Sequence, residues 1–297
     1  MKKSVTIFIL FFISLNVFAQ PKLGISGTVE WDSMRLNANT SLDLTSAGLR
    51  LPSGRTQAES ILNSGFLNLI RPSLLELQVD SSSTIGDLIF RGELSLFEVE
   101  ALALRASSIA PALSPDMLNI SSFYSISLDS ISSALLRHNR PNPAARTLNP
   151  VSTAQYTGII IIAVENLPVY GMRGTTLAVP CLFPKIWDSE MNLIYERTML
   201  DTTIPARRNT PIVKYSTINS IFQNNPSGLS PELIEIVGER PLRIFARGVF
   251  GIIPTDLIID REDALLIISS DENRRLLSEG KVVIILDESV LRYEFLY

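Results

Sequence analysis

The 297-residue sequence predicts an α+β protein, with mixed sheets and packed helices arranged as two intimately associated lobes. Three observations carry this. Residues 24–44 alternate loosely between apolar and polar, as a half-buried strand does. Runs with helical spacing follow in the first half, and strand-length Ile-rich runs dominate the second. Near the end, a short helical stretch, Gly280 and the run Lys281–Leu286 form an α–β unit.

Taken in order, Ile25, Val29, Trp31, Met34, Leu36, Leu42 and Leu44 predict two strands joined near Asp32-Ser33 or near Asn37-Ala38-Asn39. After a turn at Leu51-Pro52-Ser53-Gly54, residues Ala58, Ile61, Leu62, Leu69 and Ile70 recur at helical spacing. Pro72 is expected to interrupt or restart that helix, since it has no backbone donor. Asp80-Ser81-Ser82-Ser83-Thr84 is a run of turn and capping residues. A helix is predicted from Ser95 to Ile109 before Pro111, then a strand around Phe123–Leu128 and a short helix over Asp129–Leu136.

Prolines 141, 143 and 150 mark an extended connection. Its arginines suit a solvated loop better than a lipid contact. Beyond it, Gly158–Val164 reads as a strand buried on both faces. Further strands are predicted at Leu177–Leu182, Asn192–Tyr195, Leu242–Ala246, Val282–Leu286 and Val290–Leu296, and a loop with short helical turns over Asn209–Pro231. Asp260 is expected to cap a helix with Glu262 and Asp263 in its first turn, and a second helix covers Asp271–Ser278.

The first residues predict export. Lys2 and Lys3 precede the apolar run Val5–Phe18, which closes on Val17-Phe18-Ala19, the layout of a cleaved signal peptide. The run is shorter than the roughly 20 residues that span a bilayer. No cysteine follows it, so no lipid is expected on the mature N-terminus. The expected organisation is a signal peptide at 1–19, an N-terminal lobe at 20–140, a proline-containing connection at 141–155 and a C-terminal lobe at 156–297.

The sequence holds 26 basic and 30 acidic side chains; losing Lys2 and Lys3 leaves 24 against 30, a net charge of −6. That balance argues against non-specific nucleic-acid binding. No transmembrane span is expected after cleavage. Cys181 is the single cysteine and reads as a small buried hydrophobe. His138 is the single histidine, and no triad partner surrounds it. Zinc sites of the Cys/His kind are excluded by count. Gly171 and Gly174 lack the Lys-Ser or Lys-Thr pair of a phosphate loop.

No catalytic, cofactor or metal residue is assigned, and no cofactor is expected. Trp31 and Trp187 are the large aromatics suited to anchor a core or an interface; Trp187 lies in Phe183-Pro184-Lys185-Ile186-Trp187-Asp188, so Trp187, Phe183 and Lys185 are the candidate interaction residues.

Three stretches together resemble a known family. They are Arg55–Glu59 leading to Val79-Asp80-Ser81-Ser82-Ser83-Thr84; Tyr156-Thr157-Gly158-Ile159-Ile160-Ile161-Ile162 with Pro180–Ile186 and Asn192–Tyr195; and Arg240–Gly248 with Pro254-Thr255-Asp256-Leu257-Ile258-Ile259, ending at Val282–Asp287. Their series resembles the small bacterial outer-membrane lipoproteins that include the flagellar assembly lipoprotein FlgP, as a non-lipidated variant. Ala163-Val164-Glu165-Asn166 departs from that family's acidic-Ala-Arg-Gly pattern.

The resemblance implies a non-enzymatic, structural or assembly protein, periplasmic and peripheral to the outer membrane. Its implied partners are envelope or flagellar motor proteins, with self-association a further option. The alternative is a periplasmic binding module for a small or lipidic ligand, suggested by the aliphatic runs Ile159–Ile162 and Leu265–Ile268. An enzyme working through Asp260, Glu262 and Asp263 is the third reading.

Overall fold

The computed structural model describes residues 23–138, 140–203 and 213–297. The predicted signal segment and the start of the expected 209–231 loop lie outside them. The chain folds as an α+β protein of two packed lobes.

The first lobe opens with β1 (Leu23–Glu30) and β2 (Arg35–Asp43), an antiparallel pair whose turn covers 31–34, the earlier of the two expected positions. Ile25, Val29, Leu36, Ala38 and Leu42 face the core. Across this face lies α1 (Arg55–Leu75), whose buried Ala58, Leu62, Phe66, Ile70 and Leu74 recur every fourth residue and form one stripe. Pro72 does not interrupt it. It falls in the last turn, where one backbone donor is lost while packing of Ile70 and Leu74 continues.

A hairpin of β3 (Gln78–Asp80) and β4 (Ser83–Thr84) leads into α2 (Ile85–Phe90), and α3 (Leu96–Ala103) follows. Both helices start on reciprocal capping boxes, Thr84 with Asp87 and Ser95 with Glu98, which satisfy otherwise orphaned donors. The second helix stops before the expected Ile109, because Ser107 and Ser108 form β5 on the sheet instead. With β6 (Ala112–Leu113) and β7 (Asn119–Ser127) the sheet order is β5-β7-β2-β1, and β6 also lies on β7. Phe66 stacks on Tyr124 with ring centroids 3.8 Å apart. Then α4 (Leu128–Leu135), capped by Ser127, closes the lobe.

The connection is extended, as expected, but it is fastened along its length. Arg146 pairs with Asp271, Arg274 donates to the Ala144 carbonyl, and Ser269 Oγ accepts from Val151 N. Asn273, almost fully buried, donates to the Ala154 and Leu266 carbonyls and accepts from Tyr156 N.

In the second lobe, β8 (Ile159–Ala163) is buried throughout. The hairpin β9 (Leu167–Pro168) and β10 (Thr175–Thr176) precedes β11 (Ile186–Asp188) and β12 (Leu193–Tyr195). Residues 177–182 are not a strand. Pro180 cannot donate, and the neighbouring donors of Val179 and Leu182 go to the carbonyls of Pro254 and Gln78 rather than to a ladder.

The expected polar loop contains β13 (Lys214–Ser216) and one short helical turn at Ile218–Ile221, and α5 (Pro231–Val237) begins where it ends, with Ser230 as cap and Pro231 in its first turn. Next come β14 (Leu242–Phe245), β15 (Gly248–Phe250), β16 (Asp256–Ile259), α6 (Arg261–Ile268), α7 (Asp271–Ser278) and β17 (Val282–Leu286). Gly280 closes α7 at φ 63°, the left-handed conformation expected of it.

One sheet is parallel, in the order β13-β17-β8-β14; the other is mixed, β12-β11-β16-β15. Alternate residues of β8 point to opposite layers. Ile160 and Ile162 pack with Leu233 and Val237 of α5, while Ile159 and Ile161 join the main core with Ile267 and Leu277. The aliphatic runs that suggested a lipidic ligand are thus largely taken up by packing.

The final strand β18 (Arg292–Leu296) leaves the second lobe and pairs antiparallel with β1. The sequence placed it in the C-terminal lobe. Local pattern identifies a strand but carries no information on a partner more than 260 residues away.

Two outcomes are expected. A Cβ on Gly158 would lie 2.4 Å from Val237 Cβ and 2.6 Å from its carbonyl oxygen. Gly158→Ala should therefore displace α5 and cost about 1–3 kcal/mol in urea unfolding.

Asp129, in the first turn of α4, has Oδ1 buried without a hydrogen-bond partner, and burial pushes its carboxyl up to about 6 against the opposing pull of Lys214 and Arg35. The folded state then binds this proton more tightly than the unfolded chain, so the group's stabilising contribution declines as pH rises from about 4 to about 6. Asp129→Asn should remove that decline, and the variant should gain about 1–2 kcal/mol over wild type at neutral pH, the figure being reduced for partial exposure.

Candidate functional site

The site grows from the alternation of β11. Ile186 and Asp188 turn inward, so Trp187 turns to the opposite side. Beside it, β16 runs parallel and begins at Asp256, a carboxylate with 1% exposure. Four donors converge on it: Ser81 Oγ at 3.0 Å, Thr255 Oγ at 3.2 Å, and Lys185 N and Trp187 Nε1 at 3.3 Å. Burial still pushes its carboxyl above the usual range, outweighing the four hydrogen bonds.

Above this anchor the indole meets Phe250 edge-on, with centroids 6.1 Å apart at 78°, and Phe250 meets Tyr170 likewise at 6.0 Å and 77°. Such edge-to-face pairs fix ring orientation. Tyr170 N donates to Val249 O at 2.8 Å, which ties the β9–β10 tip to β15. That tip turns on Gly171 and Gly174, both at positive φ, and presents Met172 and Arg173.

The neighbouring turn uses Gly251 at φ 115°, where a Cβ would stand 2.3 Å from Ser81 Cβ. Ile253 N donates to Ser81 O, and Ile252 projects outward. Exposure reaches 50% at Tyr170, 66% at Met172 and 79% at Ile252. The result is an aromatic ladder with apolar side chains at two backbone-braced loop tips.

The three sequence-derived candidates separate here. Trp187 belongs to the ladder. The Lys185 backbone donates to Asp256. Phe183 does not belong to a surface: it is 2% exposed in the core, with the Arg197 guanidinium 5.1 Å above its ring. Sequence reading missed Tyr170, Met172, Phe250 and Ile252. The available signal was apolar residues set in Gly-bracketed turns, Tyr-Gly-Met-Arg-Gly and Gly-Ile-Ile-Pro.

The other singled-out groups have structural partners. Burial pushes the Cys181 thiol up to about 12, which removes nucleophilic character, and its backbone exchanges hydrogen bonds with Tyr215 Oη. Asp260 stands at the start of α6, but its side chain does not cap the helix; it pairs with Arg247 at 2.6 Å. Asp188 is buried; donors from Asn192 and Arg261 overcome the burial penalty and hold its carboxyl low. Among the described residues, no group of three His, Cys, Asp or Glu side chains is placed to hold a metal, and no helix is long and apolar enough to cross a membrane.

The ladder lies wholly within one recognisable unit. Residues 158–288 match the family model of the second domain of Treponema pallidum Tp0624. Residues 22–134 match the model of the N-terminal domain of the same protein. The chain is therefore similar to Tp0624 in two successive segments, which correspond to the two lobes on either side of the fastened connection. The second Tp0624 match stops before β18, the strand that returns to the first lobe. No curated protein matches the chain.

Replacing Asp256 by Asn should be costly despite the similar shape. All four groups facing the carboxylate donate, so an amide NH2 must oppose at least one donor. A loss of about 2–4 kcal/mol in denaturant unfolding is expected, with a change in Trp187 fluorescence.

Proposed function

We propose that this protein is an exported, non-enzymatic component of the cell envelope, acting as a structural or assembly element. In this reading it resides in the periplasm, peripheral to the outer membrane or the flagellar motor, and its partners are envelope or motor proteins. The observation that carries the reading is the ladder Trp187–Phe250–Tyr170 with Met172 and Ile252 at its edge. Exposed apolar groups gathered on rigid supports suit protein association. The lipoprotein-like sequence series and the predicted signal peptide supply the location.

The test combines a photo-crosslinking amino acid at position 252 with the double change Tyr170→Ser and Ile252→Asp in the native cell. Wild type should fractionate with a large envelope complex and crosslink there. The double variant should stay folded, losing about 1–2 kcal/mol with the Tyr170–Phe250 ring pair, yet move to the free pool. A wild type that is a free monomer, or a variant that stays in the complex, would overturn the reading.

A second reading, a binding module for a small or lipidic ligand, is favoured by one feature. A cleft of about 470 Å3 lies on the face of the first sheet away from α1, lined by Ser26, Thr28, Asn39, Phe123, Glu294 and Leu296 among others. Native mass spectrometry of protein purified from its own cells would show a bound small molecule if this reading holds, and bare protein if it does not.

A further inference from the structure

A separate cavity of about 200 Å3 lies between the lobes, where the end of α4 and the segment after it face Arg197 and Thr198. Leu88 and Leu135 are buried in its wall, and Leu136 lies beside them. Three basic side chains, Arg137, His138 and Arg197, line it with a single carboxylate, Glu93. Most of these groups are engaged. Glu93 pairs with Arg91 at 2.6 Å, and Arg137 donates to Glu98 and to the Glu93 carbonyl. His138 Nε2 lies 2.7 Å from the Leu200 carbonyl, which can only accept, so that nitrogen carries a proton.

Arg197 differs. Its guanidinium is stacked over Phe183, and among the described residues no carboxylate pairs with it. Stacking occupies the face of a guanidinium and leaves its edge donors for an acceptor in the plane.

We propose that this cavity binds a small organic carboxylate with a compact aliphatic body. The carboxylate sits against the Arg197 edge and the hydrocarbon against Leu88, Leu135 and Leu136. Size sets a limit: an apolar cavity of roughly 150 Å3 holds benzene, so about six to eight non-hydrogen atoms fit here. An inorganic anion would meet the cationic rim and leave the leucine wall uncovered. A neutral hydrocarbon would cover the wall and leave Arg197 without an anion. Because the walls come from both lobes, an occupant would bridge them and raise the melting temperature. The proposal requires neither reading of function given above.

The same head and body occur in a free branched acid and in the C-terminal Leu of a peptide, so the test uses both. Calorimetric titration of the full chain with 4-methylpentanoate and with N-acetylleucine should give a Kd of about 0.1–1 mM for at least one of them, in line with so few atoms. Tighter binding of the first assigns a free acid, and of the second a chain terminus. 4-Methylpentanol and inorganic phosphate should each bind at least about tenfold more weakly, a difference of roughly 1.4 kcal/mol. Arg197→Gln should weaken the carboxylate about tenfold, and Arg197→Lys should restore part of the loss. No heat and no melting shift up to about 10 mM, phosphate binding as tightly as the carboxylates, or a folded Arg197→Gln variant binding like wild type would each overturn the proposal. Should Arg197→Gln fail to fold, the alcohol and phosphate comparisons on wild type decide it.

Discussion

A single buried carboxylate holds much of this molecule in register. Asp256 receives donors from Ser81 of the first lobe and from Lys185, Trp187 and Thr255 of the second. A lone negative charge in a core is expensive, and its desolvation is tolerated only when donors surround it. The arrangement therefore makes each participating segment depend on the others. The β3–β4 hairpin must be seated before Asp256 is satisfied, and Asp256 must be satisfied before the indole above it is oriented. Hydrogen bonds from Leu182 N and Phe183 N to the hairpin carbonyls, and from Ile253 N to Ser81 O, extend the same seam through the backbone.

The parallel sheet supplies the rigid floor behind that seam. Every residue of β8 and β17 is buried, and the two strands send alternate side chains into helical layers on either side. Main-core residues run without interruption from Val29 and Trp31 of the first lobe to Tyr215 and Ile284 of the second. Trp31 and Tyr215 meet edge-on, with ring centroids 6.0 Å apart. The two lobes share one apolar core, so a group mounted on either is packed against elements of both.

Local order was readable in the sequence, and long-range order was not. The strands at Gly158–Val164 and Val282–Leu286, the turn run at Asp80–Thr84 and the closing Gly280 follow from composition and spacing alone. Pro72 misled because its effect depends on position: in a last turn it removes one bond and leaves the stripe intact. Asp260 misled because Arg247 arrives from another strand and takes the side chain that was expected to cap. For the candidate site, Phe183 and Trp187 looked alike in sequence, yet one is core and the other belongs to the ladder. That difference follows from where β11 begins, and β11 is fixed by its pairing with β16. Tyr170 and Phe250 lie 80 positions apart, and the contacts of β9 and its tip with Gly248 and Val249 bring them together.

The return of β18 to β1 affects how the chain reaches its final form. Ile25 and Tyr297 exchange backbone hydrogen bonds, so the first described strand finds its outer neighbour only beyond the whole second lobe. Until then β1 presents a row of unpaired peptide groups, the kind of surface on which separate chains join edge to edge. That edge cannot close before the second lobe has been made. The strand arrives only with the second lobe, so completion of the first sheet is tied to synthesis of the second lobe.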